Sequence, residues 1–155
     1  MKKAVFAVLA SVGLLVSASN AMAASDSGQA TANVITPISI ANTSDLSFGN
    51  GLPGDTLVIT QAGVGSGTVL SDKGTHSAAG FDVNGGNAQT YNITHDGPVA
   101  MTGTAGSASA TLDCPSAGTL DGTGADSFAC GGSVDLTGTG PGDLSGTFNV
   151  TVEYP

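Results

Sequence analysis

The chain has no arginine and no tryptophan, and lysine contributes only 3 of its 155 residues. A nucleic-acid-binding surface needs Lys and Arg to displace counterions from phosphates. A nucleic-acid partner is therefore excluded. Anionic membrane surfaces are disfavoured for the same reason. Glutamate occurs once, at Glu153, and with Gln, Lys and Arg so scarce a helix would lack its usual surface residues. Aromatics make up 5% of the chain, too few for the two girdles of an outer-membrane barrel. Long apolar runs are absent except for one, Ala4 to Val16, interrupted by Ser11 and Gly13.

That run has a recognisable setting. Lys2 and Lys3 precede it; a polar stretch, Ser17 to Asn20, follows it; Ala21-Met22-Ala23 then offers small residues at its first and third positions. This is the three-part pattern of a cleavable secretory signal peptide. The apolar run is shorter than the ~20 residues a membrane span needs. Residues 1–23 are expected to be removed, leaving residues 24–155 as one domain, secreted to the periplasm, the cell surface or the medium. No membrane insertion is expected after cleavage. The leader looks bacterial. All 12 acidic residues lie beyond it, against one lysine, Lys73, a balance that favours solubility.

Gly, Ser, Thr, Ala and Val dominate the rest, and apolar residues recur at period two. The expected fold is all-β: a sandwich of short antiparallel strands with Gly-rich turns. In Gln29 to Ala41, Ala30, Ala32, Val34, Thr36, Ile38 and Ile40 share one face, which predicts a long strand with Pro37 at an edge or a break. A turn is expected at 42–45, then a short strand carrying Leu46 and Phe48. Further strands are expected over 56–60, 67–70, 80–84, 88–94, 99–102, 107–114 and 133–137, with loops at 118–124 and 138–142. The final segment, Ser145 to Tyr154, places Phe148, Val150, Val152 and Tyr154 on one face and Asn149, Thr151 and Glu153 on the other. Cys114 and Cys130 form an even pair in an exported chain and predict one disulfide. It closes a loop of about 16 residues, worth roughly 3 kcal/mol in the chain-entropy account.

No catalytic constellation is found. There is no phosphate-binding G-x-x-x-x-G-K and no G-x-S-x-G elbow. His76 and His95 are single and separated. Asp121 to Asp126 lacks the alternating oxygen ligands and closing Glu of an EF-hand loop. Asn42, Asn92 and Asn149 each begin an N-x-[ST] triplet, but two of these fall within predicted strands and none is read as a glycosylation site. The chain is read as non-enzymatic, without cofactor or metal.

The two ends resemble subunits of chaperone–usher pili. Tyr154 is penultimate, Phe148, Val150 and Val152 alternate before it, and Gly142 is placed as such subunits place a glycine before the last strand. More of the chain resembles the bacterial secreted family called domain of unknown function 4402: its opening, Thr31 to Ile40, then Asp45 to Gly49, and its close, Gly146 to Tyr154. That family is regarded as related to spore-coat-U-type and pilin-like proteins. The resemblance implies an immunoglobulin-like, pilin-like sandwich that lacks one strand. It implies that Gly142, Phe148, Val150, Val152 and Tyr154 form the assembly and chaperone strand. Ala30, Ala32, Val34, Thr36, Ile38 and Ile40 become a candidate donor strand for a neighbour. The implied partners are identical subunits and a periplasmic chaperone and usher. The first strand can instead complete its own domain, giving a monomeric, adhesin-like binding module. Unlike many pilins, both cysteines lie in the second half of the chain.

Overall fold

The computed structural model describes residues 24–67 and 74–155. The leader expected at 1–23, Lys73 and most of the strand expected over 67–70 lie outside the described residues. Among the described residues there are ten strands and no helix: β1 (Ser39–Ser44), β2 (Thr56–Ile59), β3 (Gly65–Gly67), β4 (Ala79–Asn84), β5 (Thr90–His95), β6 (Val99–Gly103), β7 (Gly106–Asp113), β8 (Ala117–Thr119), β9 (Ala125–Asp135) and β10 (Val150–Glu153). They form two antiparallel sheets, as expected of a β-sandwich. The larger runs β1-β4-β9-β2-β3, with β7 also on β9 and β6 on β7; the smaller is β10-β5-β8.

Period-two patterning explains which faces are inside. Phe81 and Val83 of β4, Tyr91 and Ile93 of β5, Ala110 and Leu112 of β7, and Leu57 and Ile59 of β2 are buried, while their neighbours in sequence are turned outward. Strand β9 is the spine of the larger sheet. Its first half pairs with β4, and its second half is flanked by β2 and β7. Where β9 changes partners, the predicted disulfide joins Cys114 to Cys130, with S–S 2.04 Å.

Several boundaries differ from the sequence expectation. The predicted strand over 29–41 has ladder partners only from Ser39 onward, pairing with β4. Among the described residues, 24–38 have no strand partner. Pro37 has no N–H to donate and marks the break. The turn expected at 42–45 is mostly strand, because Asn42 and Ser44 continue the β1–β4 ladder across a bulge. The strand expected at Leu46 and Phe48 is reduced to a single bridge, Ser47 to Ser77. Strand β9 begins at Ala125, eight residues before the expected Ser133. Strand β8 lies partly within the expected loop at 118–124. The final strand is shorter than its alternation: only Val150–Glu153 form a ladder, and Ser145 makes an isolated bridge with Thr102.

Candidate functional site: an open seam between the sheets

The site is where the two sheets end side by side. Strand β1 pairs with β4 alone, and β10 pairs with β5 alone, among the described residues. The two strands lie next to each other without a ladder between them. In an antiparallel pair, residues alternate between exchanging hydrogen bonds and turning those groups to the opposite edge. Asp96 donates its N–H to the carbonyl of Asn149 at 3.1 Å, so Asn149, Thr151 and Glu153 face β5. The N–H and C=O groups of Val150 and Val152 therefore point to the free edge. Asp96 fixes this register further, its Oδ2 accepting from the backbone N–H and the side-chain amide of Asn149.

The side chains along the seam are apolar and incompletely covered. Ile38 and Ile40 form one lip, and Phe148, Val150, Val152 and Tyr154 the other; all six are half-buried. They pack on two inner clusters, one around Val83, Tyr91, Ile93 and Leu120, the other around Ala79, Phe81 and Cys130. In a closed sandwich the inward residues of the last strand are covered on both sides. Here they have protein beneath them and an unpaired edge beside them, which is the template an extended segment adds to.

At one end of the seam Tyr154 acts as a bridge. Its hydroxyl accepts from the Gly86 N–H at 2.6 Å and donates to the Thr36 carbonyl at 3.0 Å. Space for the phenol exists because residue 85 is glycine: a Cβ there collides with the Tyr154 hydroxyl and approaches Leu120 Cδ1 to 2.9 Å. At the other end, the chain continuing from β1 and the chain leading into β10 both line a cleft of about 580 Å3. Leu46, Phe48, Leu52, Met101, Leu136 and Leu144 form its apolar wall. Gly142 lies on the rim of this cleft with φ 146°, and a Cβ there comes within 2.7 Å of the Ala105 nitrogen.

The candidate donor residues are not alike. Ile38 and Ile40 belong to the body of the domain, half-buried against the inner cluster. Thr36 is exposed and is the residue Tyr154 holds. Val34 is 91% exposed and Ile35 41%. Ala30 and Ala32, in a separate unit of the chain that ends at Asn33, are also exposed. Sequence alternation thus joins two segments with different situations. It could not identify the Gly85 slot or the cleft walled by Leu46 and Phe48, because both depend on which strands end as edges.

The remaining polar groups have local duties. Tyr91, 1% exposed, donates its hydroxyl to Asp126 Oδ2 at 2.8 Å. Burial raises its pKa far above that of a free phenol, and the hydrogen bond and charge of Asp126 add to the rise. Asp121 caps its own turn, accepting from the Thr123 N–H and hydroxyl and from the Ala125 N–H, and these bonds lower its pKa. Asp135 is lowered in the same way by Thr137. His76 is half-buried with its ring against Gly65, and His95 is exposed with Nδ1 2.7 Å from the Asp96 carbonyl. Among the described residues no three His, Cys, Asp or Glu side chains gather as metal ligands do.

Compared with known families, residues 38–154 match the model described as Domain of unknown function (DUF4402), and the chain belongs to that family. The match begins at Ile38, where the packed body begins, and leaves residues 24–37 outside it. No curated protein and no solved structure matches the chain.

Proposed function

We propose that this member of the domain-of-unknown-function family is an exported, non-enzymatic structural subunit of a pilus- or surface-fibre-like polymer. Its fold is read as an immunoglobulin-like, pilin-like sandwich open along one seam. Residues 24–36 form an arm that fills the seam of another copy as the missing strand. Main-chain hydrogen bonds to the β10 edge supply affinity, and alternate side chains of the arm fill the gap between the lips. Before assembly the same edge is open to a strand of a periplasmic chaperone.

The observation that carries this reading is the adjacency of two unpaired edges, β1 and β10, over six half-buried apolar side chains. An exposed segment with period-two patterning and no strand partner among the described residues supports it independently. A one-residue slip would turn Ala30, Ala32 and Val34 from the gap to solvent, so pairing along the seam has a defined register.

The test is a deletion that stops short of the body. Removing residues 24–40 would also remove Ile38 and Ile40, which pack on the core. Removing residues 24–33 leaves the body whole. The shortened protein is expected to fold with an unchanged unfolding midpoint and to stay monomeric where the full chain forms polymers under electron microscopy. A synthetic peptide of residues 24–36 is expected to bind it and raise that midpoint. Polymers formed equally well by the deletion would refute the proposal. A full chain that refolds reversibly as a monomer and ignores the peptide would favour a self-complete binding module using the cleft.

A further inference from the structure

We infer that Tyr154 is the positioning residue that anchors the base of the arm and commits it to the seam of a second copy of this chain. The inference rests on the donor-strand reading above and adds to it what decides between filling one's own seam and filling a neighbour's.

Three observations lead there. The Tyr154 hydroxyl joins the far end of the chain to the base of the arm, through Gly86 on one side and Thr36 on the other. The slot depends on Gly85, since any Cβ there would occupy the place of the hydroxyl. The anchored residue also sits at a fixed end of the seam: β10 runs toward Tyr154, while β1 begins beside Thr36 and runs toward the cleft.

These positions set the direction of the arm. To fill its own seam, the arm must reverse at the anchored Thr36, next to Pro37, whose ring fixes φ and removes a donor. It would then run parallel to β10. An arm from a second copy needs no reversal. It can come in at the cleft end and run antiparallel to β10, the slightly more stable pairing. Val34, the most exposed large apolar side chain of the arm, then lies toward the cleft, and Ala30 and Ala32 lie further along the seam toward Tyr154. Contacts of this kind join unlike surfaces, and where the rotation from copy to copy does not close a ring they generate an open filament.

The experiment places Thr31→Cys and Thr151→Cys in one full-length chain. Both positions are exposed, and the native disulfide involves the buried Cys130. After mild oxidation, non-reducing gels separate links between chains from links within a chain. With Tyr154 present, links between chains are expected to dominate as a ladder. In the Tyr154→Phe background, which keeps the ring and removes both hydrogen bonds, the within-chain share should rise about five-fold or more, the factor carried by one net hydrogen bond. Gly85→Ala, which displaces the hydroxyl without removing it, should do the same and serves if Tyr154→Phe folds poorly. An unchanged share in both variants would overturn the anchor while leaving the donor-strand reading standing; within-chain links dominating when Tyr154 is present would overturn both, as a domain that completes itself. No link of either kind, together with no binding of the 24–36 peptide to the shortened protein, would overturn both.

Discussion

Replacing Gly131 with alanine should be among the most damaging single-methyl changes in this protein. Gly131 lies in β9 opposite Asp113, at the point where the strand passes the corner formed by Ile59, Thr60 and Gln61. A Cβ there overlaps the Ile59 carbonyl oxygen and lies 2.7 Å from the Thr60 carbonyl carbon and 2.9 Å from the Gln61 nitrogen. These are backbone atoms, so no side-chain rotation relieves the overlap. The corner must retreat by on the order of 1 Å, which stretches the adjoining Ile59–Gly132 pairing beyond good hydrogen-bond length. Overpacking of this kind costs about 1–3 kcal/mol, and each lost ladder bond adds about 1 kcal/mol. A total near 3 kcal/mol corresponds to a fall in Tm of roughly 10 °C or more for a domain of this size. Thermal unfolding of the oxidised protein by circular dichroism measures it. Gly122→Ala is the control, because nothing lies within 4 Å of its new methyl group and φ there is not positive. That variant should stay within about 0.5 kcal/mol of the parent. A Gly131→Ala midpoint within about 2 °C of the Gly122→Ala midpoint would refute the close approach of the corner to β9.

Alkaline pH should destabilise the fold through Tyr91. Its folded pKa is raised, so its contribution is complete below pH ~10 and is lost as pH rises, when the unfolded chain ionises and the native one does not. The slope reaches at most about 1.4 kcal/mol per pH unit, and urea midpoints of Tyr91→Phe should lack that component. Asp121 and Asp135 have the opposite sign. Their lowered pKa values give support that is present above pH ~4 and disappears in acid, so a Thr137→Ala variant should flatten the acid limb seen by the same titration. Replacing Cys114 and Cys130 together with alanine should cost about 3 kcal/mol. An unfolding midpoint insensitive to both that change and reducing agent would contradict a structural role for the disulfide.

How much of this was legible in the sequence follows from where the determining interactions lie. Strands β4, β5 and β7 announce themselves because one face is buried and the other wet, so burial writes alternation directly into the residues. The pairing of Cys114 with Cys130 needed only a count and a compartment. The first eight residues of β9, Ala-Asp-Ser-Phe-Ala-Cys-Gly-Gly, carry almost no strand propensity and were not expected to be a strand. It is held by β4 and then squeezed between β2 and β7, and it needs glycines because neighbouring backbones come too close for side chains. Tertiary context selects such a strand against its own propensity.

The seam shows a deeper limit. Alternation runs unbroken from Ala30 to Ile40, yet only its last part is packed. Period two states that a segment suits a half-buried edge; it does not state whose edge. Ile38 and Ile40 find theirs in the same chain, while Ala30 and Val34 remain exposed. What separates them is Pro37 and the Tyr154 hydroxyl on Thr36, a hydrogen bond spanning 118 positions that no local pattern can encode. On the proposal above, an open strand position and an arm outside the ladders, joined at Thr36, are the parts for joining one copy to the next. Whether the joint aims outward is then a question about one hydroxyl group: the cross-linking ratio with Tyr154 present separates a fibre subunit from a domain that completes itself, and its change in Tyr154→Phe shows whether that hydroxyl decides it.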